Sequence, residues 1–245
     1  MTMTFIYDPP QAPYLTLLHA DEHIIVVNKP SGLLSVPGRV EAHQDSIAYR
    51  VSRVYPEAGI VHRLDMATSG VMVLSRSKAA HQHLSYQFAS RITQKRYYAR
   101  LYGTPTSHSG VINIPLSVDY PNRPKQKVDW KSGKEAVTCF RVIQQEAHGV
   151  LVELHPITGR SHQLRMHMRE LGTPILGDRL YSPPASVEAV DKLQLHAQCL
   201  QFVHPLTAQK MMYSAPIPFS DYQPKSLEET YGYAKDLLGA TDKLE

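Results

Sequence analysis

The apolar residues of this chain come in short runs at irregular spacing, and no other feature constrains the fold as strongly. Runs at 15–18, 24–27, 71–74, 150–154 and 195–203 have strand lengths and are bounded by polar or Pro- and Gly-containing segments. Strand-like and helix-like stretches alternate without a repeated βαβ rhythm, and several strands lie close enough in sequence to form hairpins. The pattern predicts an α/β (α+β) fold: a mixed, largely antiparallel sheet with flanking helices, not a doubly wound parallel sheet. No internal repeat and no shift of composition marks a second domain.

Within that frame the first two strands flank His19-Ala20-Asp21-Glu22-His23, and Lys29-Pro30-Ser31-Gly32 stops the second. With Asp45 as N-cap, Ile47, Val51 and Val54 recur at helical spacing up to Pro56. Ser77 caps a second helix whose Ala80, Leu84, Phe88 and Ile92 share one face. A strand at 95–103 precedes a segment, 107–133, that is rich in Pro, Asn and Lys and reads as a long excursion from the sheet. Segments 136–143 and 150–154 form a hairpin, and a helix from Ser161 to about Leu171 is closed by Gly172. Late strands fall at 195–203 and 211–214. The chain then divides into an arm (1–14) stiffened by Pro9, Pro10 and Pro13, a core (15–223), and a charged, mildly helical tail (224–245).

Several function classes are disfavoured at this level. The 26 Lys and Arg against 22 Asp and Glu leave a net charge of +4, which suits a polyanionic partner without identifying one. Cys139 and Cys199 sit in apolar, strand-like settings with no CxxC partner, the pattern of buried thiols in a reducing compartment. The N-terminus lacks a basic stretch followed by an apolar one, and no run approaches the roughly 20 apolar residues of a spanning helix, so a cytoplasmic protein with no membrane contact is expected. Among thirteen histidines, His155, His162 and His167 invite a metal reading, yet His162 and His167 are five residues apart and no HExxH accompanies them. GxSxG, phosphate-loop and dinucleotide fingerprints are absent, and no cofactor is expected.

Three constellations carry chemistry. His62-Arg63-Leu64-Asp65-Met66-Ala67-Thr68-Ser69-Gly70 puts an acid and a base on a loop between two strands. Such a loop serves catalysis, or is a turn whose Asp65 caps backbone and whose Arg63 is solvated. Thr158-Gly159-Arg160-Ser161 opens a helix, where free N–H groups and the helix dipole favour a phosphate or carboxylate. Leu164, Met168 and Leu171 make that helix's apolar face and carry Arg165 to its margin, either as a surface arginine or as one paired with a carboxylate, for which Asp65 is the candidate. Arg91, Lys95, Arg96, Tyr97, Tyr98, Arg100 and Tyr102 interleave cations with aromatics, which suits RNA or describes a half-buried strand with a solvated basic face.

The first of these runs resembles the signature of the RluA family of pseudouridine synthases. Asn28-Lys29-Pro30-Ser31-Gly32-Leu33, Lys95-Arg96-Tyr97, Pro156-Ile157-Thr158-Gly159-Arg160-Ser161-His162-Gln163-Leu164-Arg165 and Pro174-Ile175-Leu176-Gly177-Asp178 resemble further blocks of that family in the same order, covering about 15–215. Leu34-Ser35-Val36-Pro37-Gly38-Arg39 and Asn122-Arg123-Pro124-Lys125-Gln126-Lys127 are most similar to its dual-specificity branch. The resemblance implies a bent sheet with a central catalytic cleft, no S4 domain, and structured RNA as partner: a large-subunit ribosomal RNA and the tRNA anticodon arm. It also implies Asp65 as the catalytic carboxylate, Tyr97 as the tyrosine stacked on the target base, Arg165 as the arginine paired with that carboxylate, and Arg63 as the residue filling the gap left by a flipped base.

His62, Lys78, Arg91, Lys125, Lys127 and Arg160 are candidate RNA contacts beside Arg63, because they lie close in sequence to these segments. A monomer is expected. Two rivals remain at this level, an RNA-binding or RNA-remodelling protein of the same fold without chemistry, and a metal-dependent hydrolase built on the histidines.

Overall fold

The computed structural model describes residues 6–241, so positions 1–5 of the expected arm and 242–245 of the expected tail lie outside the described residues. In chain order the elements are β1 (Leu17–Ala20), β2 (Ile24–Lys29), α1 (Ile47–Ser52), β3 (Gly59–Ile60), β4 (Ser69–Ser75), α2 (Lys78–Ala89), β5 (Gln94–Leu101) and β6 (Ser109–Asn113). There follow β7 (Leu116–Val118), β8 (Gln126–Val128), β9 (Val137–Glu146), β10 (Gly149–Pro156), α3 (Gln163–Glu170), α4 (Pro184–Glu188), β11 (Leu195–Val203), β12 (Lys210–Ser214) and α5 (Leu227–Thr241). The fold is mixed α/β, and the pairs β1·β2, β2·β4, β3·β4, β5·β10, β9·β10, β6·β9 and β7·β8 are all antiparallel.

The chain forms two compact units. One runs up to Thr93 and takes in Leu200–Ala215; the other comprises Gln94–Cys199 and the chain from Pro216 onward. Composition cannot reveal this division, because the chain crosses between units three times, once within β11, and no linker separates them.

In the first unit β2 and β4 are buried on both faces almost throughout, which is why their sequences read as continuous apolar runs and not as alternation. Ile24, Val26, Val71 and Val73 pack with Leu84 of α2 and with Leu200, Phe202 and Ala215. Ser77 caps α2 as expected, its Oγ accepting from the Ala80 N–H at 3.1 Å. The helix stops at Ala89, however, and Arg91 turns the chain with φ 59°, so Ile92 leaves the apolar face and is half exposed. The cap of α1 also differs by one residue. Ser46 accepts from the Tyr49 N–H at 3.2 Å, while Asp45 binds Arg50 in a fork at 2.7 and 2.6 Å that holds its carboxyl below the usual range. Fully buried Arg50 also donates to the carbonyls of Pro10 and Tyr14, which ties the described part of the arm to α1.

In the second unit β9 and β10 form the expected hairpin around Ala147-His148. Gly149 has φ +150°, and a Cβ there would sit 2.2 Å from the Leu101 carbonyl oxygen, so only glycine fits. Segment 107–133 is not an excursion throughout: β6 pairs with β9, and β7 and β8 make a separate two-stranded ribbon. Within the charged tail lies a 15-residue helix, α5, packed against β6 and β9, with Leu227, Thr230 and Ala234 buried. Buried Arg96 donates to the Lys225 and Ser226 carbonyls and to Thr230 Oγ1 at the start of that helix, and to Gln198 Oε1. The half-buried strand with a solvated basic face is therefore corrected. Tyr98 is fully buried against Glu153, at 2.6 Å, and Arg100 is paired with Glu146.

Both cysteines are buried and unpaired, and burial pushes each thiol up to about 11. Among the described residues no helix is long and apolar enough to cross a membrane, and no cluster of His, Cys, Asp or Glu could hold a metal ion.

Candidate active site

Asp65 lies on the loop between β3 and β4, and that loop is fixed through its backbone. Ser35 Oγ donates to the Leu64 carbonyl at 2.7 Å and accepts from the Leu64 N–H at 3.1 Å. Ser31 Oγ donates to the Ala67 carbonyl, and the Gly32 N–H to that of Met66. The strongest clamp was missed by sequence reasoning. Lys29 is fully buried, and its Nζ donates to the carbonyls of Pro30 (2.9 Å), Leu33 (2.7 Å) and Met66 (3.0 Å), joining the end of β2 to the residue after Asp65. Burial pushes its pKa down to about 7, against the pull of the Asp65 carboxylate in the other direction. The available signal was a lysine ending an apolar strand, which reads as a strand stop when the strand's burial is unknown.

His62 is held inside the unit as well. Its Nε2 accepts from the Val73 N–H at 3.1 Å and its ring stacks on Phe88 with centroids 4.3 Å apart, so it anchors the loop. Arg63 is exposed and Asp65 partly exposed. Lys78 and Arg91 are both exposed, but they flank the two ends of α2, roughly 20 Å apart at 1.5 Å per residue, and do not form one patch.

The second unit holds Tyr97 and Arg165. Tyr97 is half-buried on β5, opposite Leu154 of β10. Arg165 is not at a margin: α3 is buried from Gln163 through Met168. Its guanidinium forms a fork with Asp178, Nε to Oδ2 and Nη2 to Oδ1 both at 2.7 Å. Asp178 Oδ1 also accepts from the Leu180 and Tyr181 N–H groups, and the Tyr181 ring lies 5.2 Å from the guanidinium carbon. Within this unit the arginine's carboxylate is thus Asp178, where pattern had nominated only Asp65. Asp178 stood in the last block of the resemblance, but nothing in its spacing announced the pairing.

The expected anion site at the start of this helix is spent internally. The helix starts at Gln163, after His162 in a left-handed conformation. Gln163 Oε1 accepts from Thr158 Oγ1 at 2.7 Å and from the Arg160 N–H at 3.0 Å, and Thr158 Oγ1 accepts from the Val137 N–H. Arg160 is half-exposed with Nε on the Glu135 carbonyl. The three histidines that invited a metal reading all have protein partners: His155 meets Glu153, His162 meets Tyr181, and His167 lies between Thr138 and Ile114, where burial lowers its pKa to about 4. Lys125 is half-exposed and Lys127 exposed, on and beside β8.

Residues 23–170 match the model of the RNA pseudouridylate synthase family. The dual-specificity RNA pseudouridine synthase RluA of Salmonella typhimurium is 53% identical over 214 residues, covering 87% of this chain and 98% of that protein. The protein of the same name from Escherichia coli K12 is 52% identical over the same shares, and that from Vibrio vulnificus 44% identical over 93% of this chain and 92% of its own. Among solved structures, human RNA pseudouridylate synthase domain containing 4 aligns with a TM-score of 0.68 at 28% identity, covering 83% of this chain and 89% of its own. Human RNA pseudouridylate synthase domain containing 1 shares the fold with a TM-score of 0.72 at 23% identity, over 96% and 98%. With the Asp65 loop clamped as described and a family match over more than half of its length, the chain belongs to the RNA pseudouridylate synthase family, enzymes that isomerise uridine in RNA to pseudouridine.

Proposed function

We propose that this isomerase acts on a large-subunit ribosomal RNA and on the anticodon stem-loop of tRNA, as a cytoplasmic monomer, with Asp65, Tyr97 and Arg165 as its catalytic residues. The observation that carries the site assignment is the fixation of the Asp65 loop: Lys29, Ser31 and Ser35 hold its backbone while the carboxylate stays partly exposed. Dual substrate range is supported by the names of the relatives that are 52–53% identical over 87% of this chain.

The reaction breaks N1–C1′ and joins C5 to C1′; C5 loses a proton and N1 gains one, so composition is unchanged and no redox or group carrier is consumed. It needs an extruded base, a positioned carboxylate and an enclosed slot for the freed uracil. Asp65 serves as the carboxylate, acting at C1′ as nucleophile or at the 2′ position as base. Tyr97 stacks on the base, Arg165 supports the ionised carboxylate, and Arg63 occupies the space the base vacates. Lys78, Arg91, Lys125, Lys127 and Arg160 contact phosphates, with His62 holding Arg63's loop.

The test is to incubate wild type and Asp65→Asn with unmodified tRNA and ribosomal RNA fragments and map pseudouridine by carbodiimide-dependent primer-extension stops. Stops on both RNAs with wild type alone are expected, with RNA affinity retained by Asp65→Asn. Wild type that binds RNA and leaves no stop on either would make the protein a non-catalytic RNA binder.

A further inference from the structure

The two aromatic rings with the greatest exposure in the second unit sit on one small element. Tyr120 follows β7 and is 69% exposed; Trp130 follows β8 and is 72% exposed. Exposed rings of this size offer flat apolar faces on which a base can stack. The ribbon that carries them is firmly seated. Leu116 is buried with Ala136, Met166 and Tyr181, the Gln126 N–H donates to Tyr181 Oη at 2.8 Å, and Leu116 and Lys134 exchange backbone hydrogen bonds. A Cβ at Gly133 would lie 2.2 Å from the Asp129 carbonyl oxygen, so the turn after Trp130 tolerates no side chain there.

The charge around the rings is mainly positive. Residues 116–134 contain Arg123, Lys125, Lys127, Lys131 and Lys134 against Asp119 and Asp129. Both aspartates are engaged internally, Asp119 by Asn122 Nδ2, Asp129 by Ser117 Oγ and the N–H groups of Lys131 and Ser132. The Arg123 guanidinium lies 4.4 Å from the Tyr120 ring centroid, covering one face of a ring that remains mostly exposed. Ser117 pairs with Lys127 and Val118 with Gln126, so Tyr120 stands at the tip of the ribbon and Trp130 at its base.

Resting on the functional reading above, we infer that the β7–β8 ribbon is a stacking platform for unpaired nucleotides of the substrate RNA, with Tyr120 and Trp130 taking bases and the flanking lysines and Arg123 taking phosphates. Aromatic faces accept any base, so the platform adds affinity without reading sequence. That property fits an enzyme working on two RNAs.

Trp130 is the chain's only tryptophan, so its fluorescence reports this site alone. Titrating wild type with an unmodified tRNA transcript should quench that emission saturably, at the same RNA concentration that half-saturates pseudouridine formation. Trp130→Ala and Tyr120→Ala should each weaken RNA binding about tenfold with the rate at saturating RNA unchanged, and Trp130→Phe should restore most of the affinity. Lys125→Gln and Lys127→Gln should lower the salt dependence of binding by about one unit of slope each, which the aromatic variants should not. Unquenched emission at saturating RNA, or full affinity in the Trp130→Ala, Tyr120→Ala double variant, would overturn the platform. Quenching and weakened binding without pseudouridine from wild type would uphold the platform and sink the enzymatic reading instead.

Discussion

Lys29 is buried without a carboxylate fork of its own, spending three donors on three carbonyls, and so it ties the Asp65 loop to the sheet at some electrostatic cost. Lys29→Met keeps the volume and removes the donors; turnover should fall at least tenfold with RNA affinity nearly unchanged, measured as single-turnover rate against filter binding. The same residue sets a pH dependence. Between its folded pKa of about 7 and the ordinary lysine value of 10.5, the unfolded chain carries a proton the folded protein has shed. The contribution of Lys29 to stability therefore rises with pH across that window, and the urea midpoint of wild type relative to that of Lys29→Met should climb between pH 7 and 9, below the range where the buried thiols titrate. Arg165 and Asp178 are the opposite case, a fully paired buried fork. Asp178→Ala removes the fork from a buried guanidinium and should cost about 3 kcal/mol in urea unfolding, besides abolishing turnover. Sequence could nominate Asp65, Tyr97 and Arg165 because each stands in a block of the family resemblance. Lys29 and Asp178 were illegible as partners because their importance comes from burial and from contacts distant in sequence.

At the scale of elements, α5 is the clearest instance of structure exceeding pattern. Its sequence is polar enough to read as tail, since among its described side chains only Leu227, Thr230 and Ala234 are fully buried, and Arg96 binds its start mostly through backbone carbonyls. Leu227→Ala should lower stability by about 2–3 kcal/mol, read from the unfolding midpoint. The helices and strands that were legible, α2 with its Ser77 cap and the β9–β10 hairpin, are those whose signals are local. The starts of α1 and α3 were displaced because competing side chains claimed the cap: Asp45 is drawn off by Arg50, and Gln163 bonds the loop in front of α3.

For the molecule as a whole, the mixed antiparallel architecture was legible from irregular short runs, whereas the division into two units was not, because neither is a contiguous stretch of sequence. Both thiols lie in the unit containing Gln94–Cys199, buried and raised to about 11. Alkylation of the native protein at pH 8 should be slow at both positions and should accelerate together in urea, at the midpoint of that unit's unfolding. The unit that holds the Asp65 loop needs Leu200–Ala215, so its first 93 residues leave the ribosome without the strands that complete their core. At 5–20 residues per second that interval lasts roughly ten seconds, during which the apolar faces of β2 and β4 await their last partners and are exposed to chaperones or to other nascent chains.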